Sequence, residues 1–179
     1  LWELTPQARN QMRYARALAY ENMDKPEAAA PLWSAIYNEK LLPPTQMSNA
    51  AFYLARSAER RRDLESAYYV GQDALQRLIG VTQTDPENAD VEKIKTQLVS
   101  LLDIAESSGV LAQALEYAQQ YLQYVNEGSL DQQSVIYRMA RIHKKRGDTA
   151  EWLRILEDLS GKYPDSVFGK TAKSELASY

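Results

Sequence analysis

The residues with the clearest potential for chemistry lie in one short stretch, "HKKRGDTAEW", residues 143–152. This stretch holds the only histidine of the chain, three consecutive cations, a Gly-Asp turn and a tryptophan. A histidine beside cations could act as a general base or bind an anion such as phosphate. General-base chemistry needs a nucleophile or an orienting partner, and the sequence has no Ser/His/Asp arrangement, glycine-rich phosphate loop or HExxH motif. We therefore expect His143 to be a half-buried spacer between helices.

A second basic run, "ERRRD" at residues 59–63, stands at the same place relative to a predicted helix end. Cations are favoured in the last turn of a helix, where the backbone carbonyls are unpaired and the dipole is negative. We therefore interpret both runs as cations that stabilise the C-terminal ends of helices. The alternative is a patch that binds phosphate or nucleic acid. The net charge of −3 and the pI near 5.3 give the protein no general attraction for nucleic acid. We expect no nucleic-acid partner.

The 24 acidic residues could in principle form a glycosidase pair or a metal site. The segments "DLESA", "DPENADVE" and "EDL" place acids at the first turns of predicted helices, where carboxylates satisfy free backbone N–H groups. The stretch "DPENAD" lacks the alternating ligands and the central glycine of a calcium loop. The absence of cysteine and the single histidine exclude thiolate and histidine-rich zinc sites. We expect no metal, no cofactor and no enzymatic activity.

The elements that would position these residues are predicted to be helices. Most of the seven glycines and seven prolines fall between segments of helical periodicity, and no segment has the alternation of a strand. The first predicted helix has Thr5 as N-cap and Pro6 at its first position. Its apolar residues recur at spacings of three and four, at Met12, Ala15, Leu18 and Ala19. Asp85 and Pro86 repeat this signal and predict a helix that runs to Ser108. No apolar run approaches the roughly 18 residues needed to span a bilayer, so we expect no direct membrane insertion.

Four segments of the chain can be placed one above another as a repeat: "NMDKPEAAAPLWSAI", "RRDLESAYYVGQDAL", "SSGVLAQALEYAQQYL" and "KRGDTAEWLRILEDL". Each segment begins with a turn of small or polar residues, which a helix follows. Near the sixth position of that helix, the four segments have Ala28, Ala67, Ala114 and Trp152, in that order. A small residue there lets the preceding helix approach closely. We expect the three alanines to be buried at close helix contacts.

This arrangement resembles the tetratricopeptide repeat (TPR) family. The fourth unit carries the resemblance best, with "RGD" at its turn and "KYPDS" at its end, where Pro164 matches the proline that closes the family's repeats. The resemblance implies an all-α fold, a right-handed α-α superhelix or TPR-like solenoid of about four helix pairs plus a C-terminal capping helix. We expect a single domain, 1–179, within a longer protein, since Leu1 is not a methionine. The expected helix pairs are 6–40, 45–82, 86–126 and 130–162, and the expected cap is 166–177.

In function, the resemblance implies a non-catalytic scaffold or adaptor that binds a peptide or partner protein on its concave face. The first helix of each pair would line that face, with arginine and aromatic residues alternating along it. Such a mixture suits a peptide with carboxylates and apolar anchors, while an ordinary solvated helix face is the alternative. On the first helix the predicted stripe also includes Asn10 and Ala17. The candidate binding residues are Arg13, Tyr20, Asn49, Phe52, Arg56, Asp103, Tyr137 and Arg141.

The closing segment "YPDSVFGKTAKSELASY" is similar to bacterial cell-envelope TPR proteins. This similarity favours a periplasmic or outer-membrane-associated location over a cytoplasmic one, and a role in envelope assembly. An alternative is a helical accessory domain of a larger enzyme or regulator whose active part lies outside this segment. The sequence leaves open the identity of the partner and whether the chain forms a homo-oligomer.

Overall fold

The computed structural model describes residues 4–179, and these residues form nine α-helices and no strand. Short 3-10 turns occur at Pro86–Asn88 and Leu122–Tyr124. No described helix is long and apolar enough to cross a membrane. The helices are α1 (Pro6–Asn22), α2 (Pro26–Glu39), α3 (Pro44–Arg60), α4 (Leu64–Thr84), α5 (Val91–Ser107), α6 (Leu111–Tyr121), α7 (Leu130–Arg146), α8 (Thr149–Lys162) and α9 (Val167–Ser178).

Most helix starts follow the capping signals of the sequence. Thr5 Oγ1 accepts a hydrogen bond from the Ala8 N–H at 3.2 Å, which confirms the predicted start of α1. Ser129 Oγ accepts from the Gln132 N–H at 3.1 Å at the start of α7. The predicted helix start at Pro86 is wrong. Asp85 and Pro86 open only the 3-10 turn, and α5 begins at Val91 behind Asp90, whose Oδ1 accepts from the Lys93 N–H at 3.0 Å.

The chain divides into two compact units with a boundary between Gln97 and Leu98, within α5. The first unit contains α1 to α4, and each of these helices packs against the next in sequence. Its core is built around Trp33, which is fully buried. The Trp33 ring stacks on Tyr53 with centroids 5.0 Å apart and meets Tyr14 edge-on at 5.5 Å. Its Nε1–H donates to Glu21 at 3.0 Å, so the buried indole has two aromatic neighbours and a hydrogen-bond partner for its polar atom.

Of the apolar residues that predict α1, only Leu18 packs against this core. Asn10 and Ala17 are fully buried, whereas Met12, Ala15 and Ala19 are exposed. At 100° per residue, the exposed set lies on the opposite side of the helix from the buried set. The exposed members of the apolar set therefore lie outside the core, because α1 packs through a mixed face of polar, small and aromatic residues.

Small residues do sit at close helix contacts elsewhere. Ala67 and Ala114 have no solvent exposure, as predicted. The prediction for Ala28 is wrong by one position, because Ala28 is exposed and Ala29 is the fully buried residue of α2. The repeat register of the first helix pair therefore moves by one residue.

The second unit contains the end of α5 and helices α6 to α9. Adjacent helices pack from α6 through α9, and α7 also contacts α9. Trp152 is 4% exposed, and its ring meets Tyr179 edge-on at 5.3 Å. At the start of α9, Gly169 lies so close to the end of α8 that a Cβ atom there would be 1.8 Å from the Tyr163 carbonyl oxygen. The buried core residues of this unit include Ala140, Trp152, Ile155, Leu156, Leu159 and Ala172.

Candidate peptide-binding face

The candidate residues on α3 lie in a polar and aromatic network of the first unit. Asn49 Nδ2 donates to the Tyr14 hydroxyl at 2.7 Å, and Lys93 Nζ donates to Asn49 Oδ1 at 2.7 Å. The same ammonium lies 5.8 Å from the centre of the Phe52 ring, and Phe52 is only 7% exposed. Asn49 therefore joins α1, α3 and α5, and Phe52 offers little surface to a ligand.

Arg56 is the most accessible of the candidates on α3. Its Nη1 pairs with Glu59 Oε2 at 2.6 Å, one turn along the helix, and its side chain is partly exposed. A guanidinium has five N–H donors, so one intrahelical pair leaves donors that can reach a ligand. On α3, this arginine is the candidate best placed to hold a carboxylate.

The candidates on α1 are held by neighbours within the first unit. Arg13 Nη1 donates to Asn10 Oδ1 at 2.8 Å and pairs with Glu39 Oε1 at 2.5 Å, which ties α1 to the end of α2. The Tyr20 hydroxyl accepts hydrogen bonds from Arg16 at 2.9 and 3.2 Å. Asn10 and Ala17, predicted on the same stripe, are fully buried. Arg13 and Tyr20 thus border the packing face of α1.

On α7, Tyr137 and Arg141 lie on one face of the helix, and the two side chains differ in how they are held. The Tyr137 hydroxyl donates to Glu175 of α9, and its ring centre lies 5.9 Å from that of Phe168. Burial, and then the nearby Glu175 carboxylate, raise the pKa of Tyr137 above its ordinary value. Arg141 is exposed, and no carboxylate in residues 4–179 pairs with it.

Asp103 belongs to a four-residue charge cluster between α5 and α7, within the second unit. Arg138 Nη2 pairs with Asp103 Oδ1 at 2.5 Å, and Arg138 Nε donates to Glu106 Oε2 at 2.8 Å. Lys145 also donates to Glu106. The sequence pattern did not indicate Arg138 as a candidate. The available signal was its position one residue after Tyr137, which turns it by 100° from Tyr137 and by 60° from Arg141, towards the acids of α5.

A further exposed residue of this α7 face was also missed. Leu130 is 63% exposed and begins α7. It precedes Tyr137 by seven residues and Arg141 by eleven, so the three side chains lie on one stripe of the helix. The stripe therefore combines an apolar side chain, a phenol ring and a guanidinium that pairs with no carboxylate of the described residues.

The basic run at the end of α7 is bound by its surroundings. His143 Nδ1 lies 3.3 Å from Asp148 Oδ2, and Arg146 Nε lies 3.4 Å from the same oxygen. Lys144 Nζ lies 4.1 Å from the centre of the Trp152 ring, and Lys145 contacts Glu106. The run fills the last turn of α7, which confirms the predicted helix-end position, and His143 is half-buried as expected. No group of three His, Asp or Glu side chains in the described part of the chain could hold a metal ion.

Comparison with known proteins shows what fold this is. No protein-family model matches the chain, and no curated protein matches it. Among solved structures, it is similar to a Podosopora anserina protein described as a kinesin light chain with nearly identical TPR-like repeats. The TM-score is 0.53 at 16% identity, over 97% of this chain and 86% of that one. A variant of the same protein gives a TM-score of 0.52 at 16% identity, over 98% and 86%. The chain therefore has the all-helical TPR-like repeat fold that its sequence predicts.

Proposed function

From the TPR-like fold and the side chains of its first helices, we propose that the chain is a non-catalytic protein-interaction scaffold. Its ligand is a peptide segment that carries carboxylates beside apolar side chains. The proposed binding residues of the first unit are Arg13, Tyr20, Asn49, Phe52 and Arg56, and those of the second unit are Asp103, Tyr137 and Arg141. Arg56 and Arg141 hold carboxylates, each in its own unit.

The observation that carries this proposal is the state of Arg141. Its cationic neighbours on α7 are already engaged: Arg138 pairs with Asp103 and Glu106, Lys145 with Glu106, and Lys144 with Glu175 at 4.0 Å. Arg141 alone among these four points to solvent without a carboxylate from the described residues. An exposed guanidinium between paired charges offers two parallel N–H donors to an incoming carboxylate. Leu130 on the same stripe supplies apolar contact area for a neighbouring side chain of the peptide.

Peptide selection on the immobilised chain tests this function. We expect a library of random short peptides to yield sequences with Asp or Glu spaced from Leu, Phe or Tyr. Changing Arg56 and Arg141 to alanine should weaken binding of a selected peptide by about 1 to 3 kcal/mol for each charge-assisted hydrogen bond that the substitution removes. Isothermal titration measures the affinity, and circular dichroism checks that helix content is unchanged.

The matched controls are Arg77→Ala on α4 and Arg154→Ala on α8. Each removes an arginine that pairs within its own helix, Arg77 with Asp73 at 2.6 Å and Arg154 with Glu151 at 2.6 Å. Arg56→Ala also removes an intrahelical pair, so these variants correct for that effect. Equal weakening by the control and test variants would refute the proposed face, as would full binding by the Arg56→Ala/Arg141→Ala protein.

The envelope role predicted from the C-terminal segment is part of the proposal and has its own test. Fractionation of bacterial cells that carry the complete gene should place the protein in the periplasmic or outer-membrane fraction. Recovery in the cytoplasmic fraction would remove the envelope role and leave the scaffold function to be judged by the peptide experiment.

A further inference from the structure

The exposed side of α1 is an apolar face that nothing in residues 4–179 covers. Met12 and Met23, at the middle and the end of the helix, are 61% and 62% exposed. Between and beside them lie Ala15 and Ala19, both exposed, and Ala8, which is half-buried. These five side chains fall within about 80° of one another around the helix axis, opposite the buried Asn10 and Ala17.

The size of these side chains suits a helix as the occupant. The three alanines lie to one side of the two methionines around the helix axis. The alanines allow a second helix to approach closely, and the flexible methionine side chains can fill the remaining gaps. The other end of the chain provides a contrast. On α9 the exposed side is more polar, with Lys170, Lys173 and Ser174 beside Val167, which is 70% exposed.

One edge of the apolar face is positively charged. Arg9 and Arg16 are both exposed, and each lies about 40 to 60° from Met12 around the helix. No carboxylate of residues 4–179 pairs with either side chain, and Arg16 donates only to the Tyr20 hydroxyl. The helix α1 carries three arginines against one glutamate, whereas the whole chain has a net charge of −3. An occupant with carboxylates along the matching edge would therefore be favoured.

We infer that α1 is a second docking surface, which receives an amphipathic helix of a partner protein with acidic residues along one edge of its apolar face. A second copy of this chain fits less well. In a two-fold antiparallel pairing the same edge of each helix faces its counterpart, so Arg9 and Arg16 would meet the same arginines of the other copy. This surface is distinct from the Arg56 and Arg141 sites, which lie on α3 and α7.

Two synthetic helical peptides with the same leucine and alanine face test the inference. One carries glutamates along the edge that would meet Arg9 and Arg16, and the other carries lysines there. By fluorescence anisotropy, the glutamate peptide should bind the chain at least about tenfold more tightly than the lysine peptide. The substitution Met12→Lys should weaken the glutamate peptide by about tenfold or more.

A charge reversal provides the readout that misfolding would not produce. Arg9→Glu with Arg16→Glu should invert the preference, so that the lysine peptide binds more tightly than the glutamate peptide. Lys170→Glu with Lys173→Glu, on the exposed side of α9, should leave both affinities unchanged, and so should Arg56→Ala with Arg141→Ala. The Arg56→Ala/Arg141→Ala variant distinguishes this docking surface from the proposed peptide-binding function. The docking surface can be refuted while the proposed function holds, and the reverse is also possible.

Three results would overturn the inference. The first is equal affinity for the two peptides, or no binding of either. The second is unchanged binding of the glutamate peptide by the Met12→Lys protein. The third is a dimer of the chain in analytical ultracentrifugation that Met12→Lys dissociates, since a second copy would then be the occupant of the face.

Discussion

Glu106 shows how a single side chain can hold two helices of the second unit together. It lies on α5 and accepts hydrogen bonds from Arg138 and Lys145 of α7. Burial by itself raises the pKa of Glu106, but the hydrogen bonds and charges of Lys145 and Arg138 outweigh burial and lower the pKa below its ordinary value. The ionised carboxylate is thus the form that the folded state prefers.

This preference predicts a pH-dependent contribution to stability. Because the folded-state pKa is below the unfolded one, the stabilisation is present above the unfolded pKa of about 4.3 and is lost as the pH falls through the folded value. We expect Glu106→Gln to lower the free energy of unfolding by about 1 kcal/mol at neutral pH and by less in acid. Urea titrations of both proteins across the acid range measure the difference, and a difference that grows towards low pH would contradict this account.

At the scale of elements, the close approach of neighbouring helices depends on where small residues stand. Ala29 is fully buried, and the adjacent Ala28 is exposed. The same substitution at these two positions therefore places the new side chain on the buried face of α2 in one case and on its exposed face in the other. Gly169 marks an even closer approach, between the end of α8 and the start of α9.

The alanine pair tests the packing register of α2. Ala29→Leu should overpack the first unit and lower the free energy of unfolding by about 1 to 3 kcal/mol. Ala28→Leu should change it by no more than about 0.5 kcal/mol, because that side chain enters solvent. Chemical denaturation of the two variants measures both values, and the reverse order of effects would place Ala28 at the helix contact.

The close packing at the start of α9 can be tested in a similar way. Gly169→Ala should cost at least about 2 kcal/mol, because its Cβ would lie 1.8 Å from the backbone oxygen of Tyr163 and one helix would have to move. Gly80→Ala in α4 is the matched control, since nothing lies within 4 Å of a Cβ there. This control should be stabilising by about 0.5 to 1 kcal/mol, the gain expected for alanine inside a helix. Thermal unfolding of Gly169→Ala at the wild-type temperature would contradict the close approach.

Across the whole molecule, the sequence predicts elements better than it predicts faces. Thr5 with Pro6 marks the start of α1 correctly because capping depends on a few adjacent residues. Asp85 with Pro86 failed because this signal also suits a single 3-10 turn, and the Asp85 carboxylate accepts instead from Thr45 Oγ1 of α3 at 3.0 Å.

The binding face was predictable only where one side of a helix is clearly polar. On α7, Arg141 lies on the solvent side as expected, whereas Arg138 is turned to acids that are distant in sequence. On α1, alanines occur on both sides, Ala17 buried and Ala19 exposed, so apolar periodicity could not identify the side that packs. The choice depends on which residues of α2 and α3 meet the helix, and tertiary contacts alone determine that.

The single-domain boundary 1–179 stays a prediction.

A prediction for the whole protein concerns metal. Because the sequence has no cysteine and one histidine, we expect dialysis against EDTA to leave helix content and Tm unchanged. Circular dichroism before and after dialysis measures this. Stoichiometric zinc or iron in the purified protein, together with a lower Tm after chelation, would show that a metal is part of the fold.

The placement of the tryptophans gives each unit an optical reporter. Trp33 lies in the core of the first unit and Trp152 in the core of the second. Indole emission shifts to longer wavelength when water reaches the ring, so each residue reports the opening of its own core. With Trp2 and either of the other two changed to phenylalanine, the protein keeps a single tryptophan. Urea titrations of the two single-tryptophan proteins then give separate unfolding free energies for the two units.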